Sequence, residues 1–210
     1  MDPASAPSNL NIANALTVLR IAGVPVFGAL LLADGGESID LRVWAGVAFS
    51  LLMLTDRIDG DLARRHNLVT NFGKLADPIA DKALTGMAFV GLALILSGDR
   101  FGWLFWVVTV VVLLREWGIT AMRFVVKKYG VMPASQGGRI KTTLQAVALG
   151  GYILPFELWD NTTADVLRVL THVIMAGAVA ITMVTAIQYV RDARALRRES
   201  PRRSGVTHQP

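Results

Sequence analysis

The chain has no cysteine, which excludes disulfides, thiolate metal sites and cysteine nucleophiles at once. Histidine is nearly as scarce. His66 reads as a loop residue and His172 as a packing residue in a helix bundle, and neither has a partner at ligand spacing. Charge is thin as well: 18% of the residues are charged, against 53% that are hydrophobic. There is no internal repeat, and no inverted-repeat pattern of the kind that builds many transporters. Asp2 and Pro3 stand where a signal peptide would carry a basic region, so the first apolar run is expected to stay as a span.

What is abundant is long apolar runs. A length of 210 residues suits one domain. Runs of roughly the 20 residues needed to cross a bilayer's hydrocarbon fall at about 11–33, 41–62, 73–97, 103–124, 141–154 and 166–190. The expected fold is therefore an all-α integral membrane protein with about six transmembrane helices. Trp44, Trp103, Trp106 and Trp159 fall near the ends of these runs, where aromatic belts sit.

The net charge of +5 is unevenly placed. Arg57, Arg64, Arg65, Lys74 and Lys82 flank the second connection, and Arg123, Lys127, Lys128, Arg139 and Lys141 flank the fourth. Arg191, Arg194, Arg197, Arg198, Arg202 and Arg203 follow the last run. The alternate connections carry mainly Asp34, Glu37, Asp40, Asp99, Glu157, Asp160 and Asp165. The positive-inside rule then places both termini in the cytoplasm of a multi-pass cell-membrane protein, which an even number of spans satisfies. A basic tail directly after a span reads as an anchor on anionic lipid rather than a nucleic-acid arm. The membrane domain is drawn as 1–198, with 199–210 a basic tail expected to be disordered.

Against this background four aspartates stand out, Asp56, Asp59, Asp77 and Asp81. A charged side chain at the bilayer centre costs about 2.5–3.5 kcal/mol on insertion scales, and four together repel one another. Asp56 and Asp59 are three apart and share a helix face with Gly60, Ala63 and Arg64. After a short turn near 67–70, Gly73, Asp77 and Asp81 recur every four residues on one face of the next helix. A salt bridge to Arg64 or Arg65 accounts for two of these aspartates, not four. Four carboxylates without histidine or cysteine form a hard-oxygen set suited to two Mg2+ ions, with Mn2+ as the other choice. Such a pair clamps a displacement at phosphorus, and Arg64 is suited to phosphate. Asp61 lies off the stripe.

The run D-x2-D-G-x2-A-R-x8-G-x3-D-x3-D, from Asp56 to Asp81, resembles the signature of the CDP-alcohol phosphatidyltransferase family without a mismatch. The resemblance implies a six-helix membrane enzyme, usually a homodimer, that displaces CMP from a CDP-linked lipid. On that pattern Asp56, Asp59, Asp77 and Asp81 hold two metals, and Asp81 is also the general base. Gly60, Ala63, Arg64, Thr70 and Gly73 would bind the CDP moiety, with Asn14 and Thr17 of the opening run. That run, 11–20, resembles the first helix of bacterial phosphatidylglycerophosphate synthases, as do Leu114-Arg115-Glu116-Trp117 and the segment 139–145. Ala13 stands where a proline is common, and Arg57 where an aromatic or aliphatic residue is usual.

This resemblance implies CDP-diacylglycerol and glycerol 3-phosphate as substrates, with phosphatidylglycerophosphate and CMP as products. Arg115, Arg123, Arg139 and Lys141 would bind the acceptor's phosphate. An Arg115–Glu116 network that is purely structural competes for Arg115. Inositol phosphate is the alternative acceptor, and a divalent-cation transporter is the alternative outside this class.

Overall fold

The computed structural model describes residues 12–65, 70–126 and 136–204, with the side chains of 13, 57–65, 71–75, 123–126, 136–140, 157, 193 and 195–204 outside that description. Six α-helices account for nearly all of it: α1 (Ile12–Leu32), α2 (Ile39–Arg65), α3 (Asn71–Ile95), α4 (Gly102–Val126), α5 (Gln136–Ile153) and α6 (Thr162–Ser204). Among the described residues there is no strand. Four helices, α1, α3, α4 and α6, are long and apolar enough to cross a membrane. The other two match expected runs but carry more charge: α2 holds Asp40, Arg42 and the first aspartate pair, and α5 opens with Arg139 and Lys141.

The largest differences between helices and apolar runs are extensions into polar sequence. The run expected at 141–154 is a helix from Gln136, and the run at 166–190 is a helix from Thr162 to Ser204. Hydropathy marks what the hydrocarbon can hold, whereas backbone hydrogen bonding continues into polar sequence. At ~1.5 Å per residue the 43 residues of α6 span roughly 65 Å, about twice the hydrocarbon thickness. Residues 199–204 of the expected tail are thus helical, while 205–210 lie outside the described residues.

The helices divide the bundle into two halves. Phe27, Leu31, Phe49, Leu84, Phe89, Leu92, Leu149 and Ile153 are all at most 2% exposed and form one apolar core. Phe27 and Phe49 pack with ring centroids 5.6 Å apart, and Phe105 meets Tyr152 edge-on at 5.0 Å. Many of the buried polar residues gather in the other half, Asn14, Thr17 and Arg20 on α1, Lys141 and Gln145 on α5, and Thr182 and Thr185 on α6, while Arg42, Thr109 and Thr171 are buried in the apolar half. Outward faces are apolar, with Val107, Val110, Val111 and Leu114 of α4 exposed at helical spacing, as a lipid-facing surface requires.

α1 packs along both α2 and α3, and among the described residues each of those contacts α1 more extensively than it contacts the other. α5 lies against α6, and α4 bridges α3 and α6. The α1–α2 turn depends on Gly36, whose φ of +83° suits glycine and whose missing Cβ leaves room for Ile95. At the α1–α3 crossing a Cβ on Gly28 would come within 2.9 Å of the Met87 sulfur.

Candidate active site

Asn14, Thr17 and Arg20 recur every three residues on α1 and are 5%, 2% and 0% exposed. In an otherwise apolar helix that spacing makes one buried polar stripe. Each member meets a residue of the aspartate-bearing segment. The Arg20 guanidinium donates to Asp56 Oδ1 at 2.6 Å. The Thr17 hydroxyl donates to Asp77 Oδ1 at 2.7 Å, and the Thr70 hydroxyl donates to Asn14 Oδ1 at 3.0 Å. Residues three apart on a helix have Cβ atoms about 5–6 Å apart. Thr17 and Arg20 therefore draw carboxylates from α2 and α3 onto one patch of α1.

Asp81 follows Asp77 by one turn of α3, with Pro78 interrupting the helix hydrogen-bond ladder between them. It lies within electrostatic reach of Asp56, Glu116, Arg20 and Lys141. Asp59, Gly60, Asp61, Ala63, Arg64 and Gly73 sit on the helical backbone of α2 and α3, and their side chains lie outside those described. His66 and residues 67–69 of the expected turn lie outside the described residues. Among the described side chains, no three acidic or histidine groups enclose a single point.

The donor chemistry nonetheless suits a divalent cation. Asp56 and Asp77 are each oriented by an outer hydrogen-bond donor, the arrangement that positions metal-ligating carboxylates. Asp56 and Asp77 meet this stripe, and Asp81 lies within electrostatic reach of Asp56, with Arg20 and Lys141 as the described cations near it. The excess negative charge in a mostly apolar bundle is what a hard cation offsets.

A second polar cluster lies beside the first. Glu116 of α4 accepts from Arg115 at 3.0 Å and from Lys141 of α5 through the same Oε1. Arg115 also donates to the Thr185 hydroxyl of α6 at 2.7 Å. Lys82 donates to Thr120, which donates to the Glu116 carbonyl at 2.9 Å, and the Lys82 ammonium sits 4.9 Å from the Trp117 ring centre. Of the four residues expected to bind acceptor phosphate, Arg115 and Lys141 are brought together here. The side chains of Arg123 and Arg139 lie outside those described.

Sequence reasoning left Arg20 and Arg42 without a role and gave Glu116 only a structural one with Arg115, a pair that the structure does form. Arg20 could have been found, because a cation in mid-helix three residues after Thr17 is expensive unless paired. Glu116 offered only its place beside Arg115. Arg42 offered no signal: it is 1% exposed and donates to the carbonyls of Ile153, Tyr152 and Gly36 at 2.7, 2.6 and 3.1 Å. His172 lies with its ring 5.2 Å from that of Tyr152 and its Nδ1 2.6 Å from the Arg168 carbonyl, but it is exposed on α6 rather than packed inside the bundle.

Residues 10–184 match the family model described as CDP-alcohol phosphatidyltransferase. A Mycobacterium tuberculosis (strain H37Rv) protein named "probable phosphatidylglycerophosphate synthase" is 46% identical over 187 residues, covering 89% of this chain and 82% of the relative. A Bacillus subtilis (strain 168) protein named CDP-diacylglycerol–glycerol-3-phosphate 3-phosphatidyltransferase is 38% identical over 168 residues, covering 74% and 84%. A Rickettsia bellii protein of the same name is 31% identical over 185 residues, covering 88% and 96%.

Proposed function

Because this chain belongs to the CDP-alcohol phosphatidyltransferase family, we propose that it transfers the phosphatidyl group of CDP-diacylglycerol to the primary hydroxyl of sn-glycerol 3-phosphate. The products are phosphatidylglycerophosphate and CMP, which places the enzyme in phospholipid biosynthesis. The names of the relatives support donor and acceptor. The observation that carries the chemistry is the α1 stripe, where Arg20 and Thr17 hold carboxylates from two other helices. Carboxylates clamped this way form a rigid reaction centre rather than a permeation path.

Asp56, Asp59, Asp77 and Asp81 would hold two divalent cations, Mg2+ or Mn2+, which neutralise a diphosphate and favour displacement at phosphorus. Arg20 and Thr17 act through their partners, fixing the orientation of Asp56 and Asp77. Asp81 accepts the proton of the glycerol 3-phosphate hydroxyl. That oxygen bonds to the phosphorus carrying the diacylglycerol, and the bond from this phosphorus to the oxygen of CMP breaks. Arg64 stabilises the charge that develops on CMP. Gly60, Ala63 and Gly73 leave room for the nucleotide, and Thr70, hydrogen-bonded to Asn14, borders it. Arg115 and Lys141, with Arg123 and Arg139, receive the acceptor's phosphate.

All six helices would cross the cell membrane as a homodimer, with both termini and the aspartates facing the cytoplasm. In that arrangement 1–198 are the catalytic domain, and the basic residues after them rest on anionic lipid. Single cysteines near Asp99 or Asp160 should then react with an impermeant thiol reagent on intact cells, and one at Arg198 only after permeabilisation.

The central test uses purified protein with CDP-diacylglycerol and Mg2+. CMP release is expected with glycerol 3-phosphate, and little with serine, free inositol or inositol phosphate. Preferred turnover of inositol phosphate would overturn the acceptor. No CMP release with any alcohol, alongside divalent-ion flux in liposomes, would overturn the enzyme.

A further inference from the structure

Glu116 has no part in the chemistry above, yet it occupies both cations assigned to the acceptor. Arg115 and Lys141 reach it from α4 and α5, and their side chains are 9% and 3% exposed, against 25% for Glu116 itself. Two buried cations side by side repel each other and need a counter-charge. Glu116 supplies it, leaving the trio with a net single positive charge.

The arrangement is asymmetric. Arg115 is held a second time by Thr185, and Lys141 rises from the buried face of α5 that continues through Gln145 and Leu149. Glu116 is the least enclosed member of the trio. Among the described residues the Nε of Arg115 is buried with no hydrogen-bond partner, so this guanidinium retains a donor for a further acceptor. A phosphate monoester carries close to two negative charges at neutral pH. It matches Arg115 and Lys141 together only once Glu116 has let go of them.

We propose that Glu116 is a specificity-determining residue, an internal carboxylate that holds Arg115 and Lys141 until the phosphate of the acceptor displaces it. The proposal rests on the reading of Arg115 and Lys141 as the acceptor site, and it deepens that reading. Neutral alcohols bring no charge with which to displace Glu116, so they meet a site already closed on itself. A phosphate competes for the same donors and releases the carboxylate from them. Glu116 thereby weakens acceptor binding in exchange for restricting it to phosphorylated molecules.

The test titrates inorganic phosphate, and separately glycerol 3-phosphate, into the full-length protein by calorimetry without CDP-diacylglycerol. Glu116→Gln should tighten both about tenfold, the scale of one charged hydrogen bond regained. Lys141→Gln should weaken both, and the double variant should show a smaller gain than Glu116→Gln shows alone, because Glu116 then holds only Arg115. A residue that merely braces the two cations would give the opposite sign, so unchanged or weaker phosphate binding in Glu116→Gln overturns the proposal. If Glu116→Gln does not fold, Glu116→Asp decides: its carboxylate is withdrawn by one methylene, and tighter phosphate binding sustains the proposal while weaker binding overturns it. Absence of CMP release with glycerol 3-phosphate would refute the acceptor reading and leave the phosphate titration to judge Glu116 by itself.

Discussion

Arg20 and Arg42 are the two largest side chains that the bundle encloses completely among the described residues, and they answer the same problem in different ways. A guanidinium stays charged in a protein, so burial demands acceptors. Arg42 finds three backbone carbonyls. Two of them, from Tyr152 and Ile153, end α5, where the helix has no partner of its own to offer. These bonds tie the start of α2 to the end of α5. Arg20 instead meets a carboxylate that belongs to a cluster with more negative charge than one arginine can balance. A buried charge satisfied by backbone is architecture. One satisfied by a member of the aspartate cluster belongs to the candidate site.

The largest effects should come from the carboxylates at the Arg20 end. Asp56→Asn, Asp77→Asn and Asp81→Asn should each reduce CMP release roughly a hundredfold or more, with Asp61→Asn keeping most activity in the same assay. Tolerance of two of these changes would show that the stripe does not assemble the site.

The two arginines should then separate in turnover. Arg20→Ala is expected to lower the kcat of the folded protein about a hundredfold, as loss of an oriented outer donor does, and to lower the unfolding midpoint too, because the carboxylates lose a buried cation. Arg42→Ala should leave three buried carbonyls unsatisfied at about 1–3 kcal/mol each. It should lower the unfolding midpoint strongly, while the protein that remains folded turns over normally. If Arg42→Ala lost turnover at an unchanged midpoint, the division between the two ends would collapse.

Smaller effects sharpen the picture. Lys141→Gln should raise the KM for glycerol 3-phosphate by a factor equivalent to about 1–3 kcal/mol, leaving that for CDP-diacylglycerol nearly unchanged. Thr17→Ala should lower kcat about tenfold, since Asp77 loses one neutral hydrogen bond and no charge. A larger loss for Thr17→Ala than for Arg20→Ala would reverse the ranking of the two donors.

Much of the molecule could be read along the chain because its signals are local. Six apolar runs foretell six helices, and the three- and four-residue spacing from Asp56 to Asp81 places the carboxylates on helix faces before any coordinates are known. The stripe Asn14–Thr17–Arg20 has the same local spacing, but what it faces does not. Thr17 and Asp77 are 60 residues apart, Arg20 and Asp56 are 36 apart, and Arg42 and Ile153 are 111 apart. The net charge of the Arg115–Lys141 cluster was only partly legible, since an Arg115–Glu116 network could be read from the chain but the share of Lys141 in it could not. Counting Arg115 and Lys141 suggests two free positive charges, and only the meeting of α4 and α5 at Glu116 reduces them to one.

By itself, then, the sequence determined an all-helical chain with apolar membrane-spanning helices, the carboxylate faces and the family, because hydropathy and helical period act within a few residues of one another. The tertiary structure alone decided that α1 gathers Asp56 and Asp77, that Glu116 joins Arg115 to Lys141, and that Arg42 caps α5. Those pairings depend on which helix surfaces meet in three dimensions, and buried charges take partners by distance in space rather than by distance along the chain.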